Sequence, residues 1–351
     1  MKYKLKEIFD LQMGKTPARN NEEYWNSKDY KWISIADLTI SNKYINNTKE
    51  HISKLAVLES GIKLIPANTV VMSFKLSIGK TAILCEDMYS NEAIMAFHDK
   101  HIVELLTEYI YYLIKAKDWN DGSNRAVMGQ TLNKATLSEI EVDIHTIEEQ
   151  RRIVKLMSYL EKVIHNRKEQ LQKLEDIIRA RFVELFGDII INDRLWKTDT
   201  WSNLIKIVNG KNQKSVESND GKYVICGSGG SMGRATDYLT KENSVIVGRK
   251  GNINKPILMR EKYWNVDTAF GVEPNENYIC VEYLYMFCLF FDFNRLNKAV
   301  TIPSLTKVDL LNISMPVPDL HIQKKFAKFV EQVDKSKFAL KLLHSYIMIM
   351  M

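Results

Sequence analysis

The sequence predicts an α+β protein: two similar mixed α/β domains joined by two long helices that form an antiparallel coiled coil. Three observations carry this expectation. Residues 132–174 recur without a gap 173 positions later, so that Leu132 matches Leu305, Lys134 matches Lys307, Leu137 matches Leu310, Ile140 matches Ile313 and Gln150 matches Gln323. Two stretches free of Gly and Pro carry apolar residues at alternating steps of four and three, the heptad period of helices that pack on one another. At 351 residues and 45% hydrophobic content the chain is long enough for two cores and their connectors.

The repeat divides the chain into residues 1–145, 146–187, 188–318 and 319–351. In the first piece Gly14-Lys-Thr-Pro-Ala-Arg-Asn-Asn21 is polar and turn-rich. Residues 30–35 are aromatic and β-branched and predict a strand, as do residues 67–74. Tyr109, Tyr112 and Leu113 fall at helical spacing, and Asn133 is placed to cap a short helix running towards Ile140. The second piece is one long helix. Thr146 and Glu149 form a capping box, and Gly187 is a natural stop. Its seam reads Ile153, Met157, Leu160, Ile164, Arg167, Leu171, Leu174, Ile178, Arg181 and Leu185. At about 1.5 Å per residue such a helix spans roughly 55–60 Å, more than closing a core requires.

The third piece repeats the first with small slips. Residues 68–80 align with 243–255 at an offset of 175, placing Lys75 on Lys250 and Lys80 on Lys255. Glu108 and Tyr109 fall on Glu282 and Tyr283 at 174, and Gly14 and Lys15 on Gly210 and Lys211 at 196. The gap between offsets 175 and 196 places 21 extra residues in the first copy, between 15 and 68. In the fourth piece Asp319 takes the place of Thr146 as a cap, and the seam reads Phe326, Val330, Val333, Lys337, Leu340, His344, Ile347 and Met351. If the helices run antiparallel, the two domains sit at opposite ends of a rod.

The formal charge of +6, from 49 basic and 43 acidic residues, permits nucleic-acid binding without demanding it. Cys85, Cys226, Cys280 and Cys288 form no C-x-x-C pair and lack a His cluster, which argues against zinc and fits a reduced cytoplasmic setting. The start of the chain lacks an apolar run after its lysines, and the apolar stretch 283–293 is too short to span a bilayer, so no membrane partner is expected. Gly14-Lys15-Thr16 and Gly79-Lys80-Thr81 have the ending of a phosphate-binding loop, but that loop needs a glycine where Phe9 and Phe74 stand. The glycine-rich run 227–233 reads as a tight turn, since no strand–loop–helix unit with a downstream acid accompanies it. Scattered histidines, no nucleophile elbow, no metal-spaced carboxylates and no methyl-donor loop point away from catalysis.

What remains is basic and amide side chains on turns and strand ends. Lys15, Thr16, Arg19, Asn20, Lys75, Lys80 and Gln130 in the first copy are candidate DNA contacts. Lys211, Gln213, Lys214, Arg249, Lys250, Asn252 and Lys255 are their counterparts in the second. Phosphates require cations, and base edges require amide or guanidinium forks. Basic surface loops are common in themselves; their recurrence in both copies favours DNA.

Gly14-Lys-Thr-Pro17, Glu23-Tyr-Trp25 and Trp32-Ile-Ser-Ile-Ala-Asp-Leu38 open the first copy, and Gly227-Ser-Gly-Gly230, Thr236-Asp-Tyr-Leu239 and Ile246-Val-Gly-Arg-Lys-Gly251 mark the second. Gly129-Gln-Thr-Leu132 and Ile147-Glu-Glu-Gln150 stand at a domain end and a helix start. In this order, over its whole length, the chain resembles a specificity subunit of a type I restriction–modification system. The resemblance implies that 1–145 and 188–318 are target-recognition domains, each reading half of a split, asymmetric double-stranded DNA site. It implies that the helices fix the gap and dock two modification subunits, which methylate adenine, and that motor–nuclease restriction subunits join them. Methyl donor, Mg and ATP would then belong to those partners, with no cofactor on this chain. Two alternatives stay open: a stand-alone DNA-modifying enzyme, which would bind methyl donor or a divalent metal by itself, and a non-productive decoy specificity subunit.

Overall fold

The computed structural model describes residues 1–40, 42–75, 77–119, 132–299 and 301–350, with side chains up to residue 342 in the last helix. The chain forms two compact units, Met1–Val163 and Ile164–Met351.

The first unit opens with β1 (Lys2–Lys4), α1 (Leu5–Ile8), β2 (Phe9–Met13), α2 (Glu22–Trp25), β3 (Tyr30–Ile33), α3 (Ile35–Ile40), β4 (Tyr44–Ile45), β5 (Glu50–Ile52) and α4 (Lys54–Ser60). It continues through β6 (Val70–Ser73), β7 (Thr81–Leu84), β8 (Tyr89–Ser90), β9 (Ile94–Asp99), α5 (Thr107–Ala116), α6 (Lys134–Ser138) and β10 (Glu141–Asp143) into α7 (Ile147–Phe186). The main sheet has the order β2-β9-β6-β7-β4; a second has β5-β3-β8, and β1 pairs with β10. Successive strand side chains face opposite ways. Val70, Met72 and Phe97 therefore pack with the α5 residues Tyr109 and Ile110, while Val71, Ala82 and Ala96 pack with Ile33, Leu38 and Ile65. Two-sided burial explains why β6 and β7 are buried throughout and apolar except at Ser73 and Thr81. The strand expected over 30–35 stops at Ile33, because the Ser34 amide and hydroxyl donate to the Asp37 carboxylate at 2.8 and 2.6 Å and turn the chain into α3. Asn133 caps α6 as expected, accepting from the Thr136 amide at 2.9 Å.

The second unit contains β11 (Thr198–Thr200), α8 (Trp201–Leu204), β12 (Ile205–Asn209), β13 (Tyr223–Gly227), β14 (Gly230–Ala235), β15 (Ser244–Gly248), β16 (Ile257–Met259), β17 (Tyr263–Asn265) and β18 (Ala269–Pro274). Then follow α9 (Val281–Phe290), α10 (Lys307–Leu311), β19 (Ser314–Pro316) and α11 (Leu320–Met350). Its sheets β12-β18-β15-β16, β14-β13-β17 and β11-β19 reproduce β2-β9-β6-β7, β5-β3-β8 and β1-β10. The extra residues of the first copy are spent between β2 and β6, on α2, α3, β4 and α4.

The capping box at α7 is formed: the Glu149 carboxylate accepts from the Thr146 amide at 3.0 Å, and the Thr146 hydroxyl oxygen accepts from the Glu149 amide at 3.4 Å. Gly187 ends the helix at φ +73°. At α11 the amides of Ile322 and Gln323 bond to the backbone carbonyl of Asp319, which opens the helix at the position expected for its cap. Within the second unit α7 and α11 run antiparallel: Phe186 and Phe182 meet Phe326 at 5.7 and 5.3 Å, and Glu175, two turns earlier on α7, pairs with Lys337, further along α11, at 2.7 Å.

The predicted seam is divided in its use. Ile153 and Met157 pack on the first unit's own core. Leu174, Ile178 and Leu185 pack in the second unit's core with Phe326, Val330 and Val333. Leu160, Ile164, Leu171 and Leu340 are half-buried. Ile347 lies in α11. The stripe missed Phe182 and Phe186, which are fully buried. A helix of 3.6 residues per turn drifts about 20° per heptad from a 3.5-residue seam, which moves these two onto the buried face at the end of α7.

Candidate nucleic-acid interface

Each unit presents a Gly-Lys loop directly after the edge strand of its main sheet. Both glycines are required by close approach: a Cβ on Gly14 would stand 2.2 Å from the Asn91 carbonyl, and one on Gly210 1.8 Å from the Val266 carbonyl. Packing, not phosphate cradling, therefore explains these Gly-Lys pairs. The next residue is held alike in both. The Lys15 amide donates to the Ser90 carbonyl at 2.8 Å and the Lys211 amide to the Asn265 carbonyl at 3.0 Å. The Lys15 carbonyl accepts from the Trp32 indole at 3.1 Å, and the Lys211 carbonyl from the Trp264 indole at 3.0 Å. The tryptophans come from different places: Trp32 lies on β3, whose counterpart is β13, whereas Trp264 lies on β17, the counterpart of β8.

In the first unit Thr16, Arg19 and Lys75 gather near Glu92. The Thr16 hydroxyl bonds to its carboxylate and, with the charges of Lys75 and Arg19, holds that carboxyl below the usual range. The Lys15 ammonium reaches the Ser60 carbonyl. Arg19 is already engaged: its fork pairs with both oxygens of Glu50, and it lies 3.8 Å over Trp25 and 4.8 Å over Trp32. Lys75 lies 5.4 Å from the Phe74 ring, while Lys80 donates to the Thr39 hydroxyl at 2.6 Å, away from Glu92. Asn20 is exposed on the turn before α2. Gln130 and the motif residues 129–131 lie outside the described residues.

In the second unit three loops converge. The amides of Arg249 and Lys250 donate to the Thr268 carbonyl at 2.8 and 3.2 Å. The Ser228 hydroxyl donates to the Lys250 carbonyl at 3.0 Å. The Gly251 amide donates to Pro303, and the Leu305 amide to Arg249. Arg249, Lys250 and Asn252 thus stand beside the turn 227–230, where φ of +111° demands Gly230. Lys211, Lys214, Lys250, Asn252 and Lys255 are exposed. Gln213 and Lys214 lie on a separate local turn, with the Lys214 amide on Asn212 at 2.9 Å. Thr268 and the loop around Pro303 were not singled out in the sequence; the glycine-rich run marked the turn that carries Ser228 but not its neighbours.

Among the described residues no group of three His, Cys, Asp or Glu could hold a metal, and no helix is long and apolar enough to cross a membrane. Burial pushes the Cys226 and Cys280 thiols up to about 11, which leaves neither ionised at neutral pH. Exposed apolar side chains stand on the long helices: Leu156 and Tyr159 on α7, Phe338 on α11.

The model of the type I restriction modification DNA specificity domain matches twice, over residues 1–176 and 194–343. The chain belongs to that family. It is 29% identical over 233 residues to the type I restriction enzyme MjaIX specificity subunit of Methanocaldococcus jannaschii, covering 61% of this chain and 53% of that protein. It is 25% identical over 194 residues to the EcoR124I/EcoR124II specificity subunit of Escherichia coli, covering 54% and 47%. The aligned region thus spans about half the length of these relatives. In fold, the specificity chain resembles the S subunit of a type I restriction–modification system from M. genitalium, with a TM-score of 0.56 at 16% identity over 100% of this chain and 93% of that one. It also resembles a chain from a structure of type I restriction–modification complex assembly and conformational transition, with a TM-score of 0.60 at 16% identity over 100% and 95%.

Proposed function

We propose that this specificity chain is a DNA reader and scaffold without catalysis of its own. Each domain contacts one half of a bipartite, asymmetric site through its Gly-Lys loop and neighbouring cations. The long helices set the gap and dock two modification subunits. Those subunits hold the methyl donor, and the restriction subunits that join them use Mg and ATP. The observation that carries this reading is the loop held alike in both units, with an indole on the lysine carbonyl and exposed cations beside it. Cations on a loop bind phosphate by releasing counterions, which makes affinity salt-dependent. The relatives' description as specificity subunits supports the division of labour.

Methylome sequencing of cells carrying the chain with its modification partners should show one split motif. A decoy would leave no such motif, and a stand-alone enzyme would methylate without partners. Replacing Lys250 and Lys255 together by Ala should weaken binding and lower the slope of log K against log salt by roughly 1–2. An unchanged slope removes both lysines from the phosphate contacts.

A further inference from the structure

We infer that Arg19 is a positioning residue, which with Glu50, Trp25 and Trp32 locks the loop that presents Lys15, and does not itself bind phosphate. The inference rests on the DNA-reading function proposed above. The loop after β2 is pinned at three points. The Trp32 indole donates to the Lys15 carbonyl and the Trp25 indole to the Ala18 carbonyl, each at 3.1 Å. The two indoles meet edge to face at 4.9 Å and 86°. Arg19, one residue beyond Ala18, lies 3.8 Å over Trp25 and 4.8 Å over Trp32 and turns its fork onto the Glu50 carboxylate.

A guanidinium recognises phosphate with the same fork that it gives here to Glu50. A carboxylate on a surface that meets DNA repels the backbone, and both oxygens of Glu50 are taken by Arg19, so Glu50 serves here as the partner that fixes Arg19. Lys15 and Thr16 lie inside the pinned span. The second unit fixes Lys211 through Trp264, a tryptophan on a non-equivalent strand. The same bond reached from two strands indicates that the lysine's position is what each loop must hold.

The test uses the full chain assembled with its modification partners, comparing cognate and scrambled duplexes across a salt series. Glu50→Gln removes a negative charge, and simple electrostatics would have it tighten binding. Arg19→Lys keeps the charge but loses the fork and the stack. If the lock holds, both variants weaken cognate binding about ten-fold. They should do so with an unchanged salt slope, unchanged thermal midpoint and relaxed methylation specificity in one half of the motif only. Tighter binding by Glu50→Gln, or full affinity in Arg19→Lys with a slope lowered by about 0.9 in Arg19→Ala, overturns the inference. A wild-type assembly with no cognate preference overturns the proposed function and this inference together. Variants that match a discriminating wild type overturn the lock alone.

Discussion

Gln150 and Gln323 show how much a single residue can fix. Both are buried, at 1% and 0% exposure. Each side chain makes the same three bonds. Gln150 donates to the carbonyls of Glu104 and His145 and accepts from the Leu106 amide; Gln323 donates to Tyr278 and Pro318 and accepts from the Cys280 amide. A glutamine amide is well matched to two carbonyls and one N–H, and it ties the first turn of α7 to the loop entering α5, and that of α11 to the loop entering α9. The sequence pairs these residues by offset but cannot show their partners, two of which in each case lie more than 40 positions away. Replacing Gln323 by Ala strands two buried carbonyls and one amide. The expected loss is about 3 kcal/mol, from 1–3 kcal/mol for each unsatisfied group with partial relief by water. Urea unfolding checks it, and a midpoint within error of wild type would refute the role.

At the scale of elements, the sequence was most legible where local chemistry sets a boundary. Thr146 and Glu149 start α7 and Gly187 ends it, as their residue types require. It was less legible where burial is decided by distant chain. The seam of α7 reads as one stripe, yet Ile153 and Met157 serve one core and Ile178 the other. Arg19 reads as a DNA contact because its two tryptophans and Glu50 are brought to it only by folding. Phe182 tests the corrected seam. It meets Phe186, Tyr283, Phe290 and Phe326 at centroid distances of 4.8 to 5.6 Å and is fully buried. Phe182→Ala should cost about 3–5 kcal/mol, as a cavity in a close-packed core does. Leu171→Ala, on the half-buried middle of the helix, should cost under about 2 kcal/mol. Equal losses in denaturant unfolding would return the helix to a uniform seam.

For the whole molecule, the register of the repeat separates what both units share from what each keeps for itself. The offset stays at 173 through α6, β10 and the start of α7, matched by α10, β19 and the start of α11. Over that span the hydrogen bonds repeat as well: the Tyr109 hydroxyl donates to the Asp143 carbonyl at 3.2 Å, and the Tyr283 hydroxyl to the equivalent Pro316 carbonyl at 2.9 Å. The offset changes in the segments that carry the candidate contact loops, where one unit has a pinned tryptophan loop and the other a glycine turn beside Arg249. The two candidate contact loops share a backbone position but not a set of side chains, so no common side-chain pattern maps them to target bases. Two helix starts built to one pattern should bind two copies of one partner. Titrating the chain with its modification subunit and weighing the products by native mass spectrometry should reach two subunits per chain. Saturation at one would mean that only one junction docks, and the duplication would then serve DNA alone.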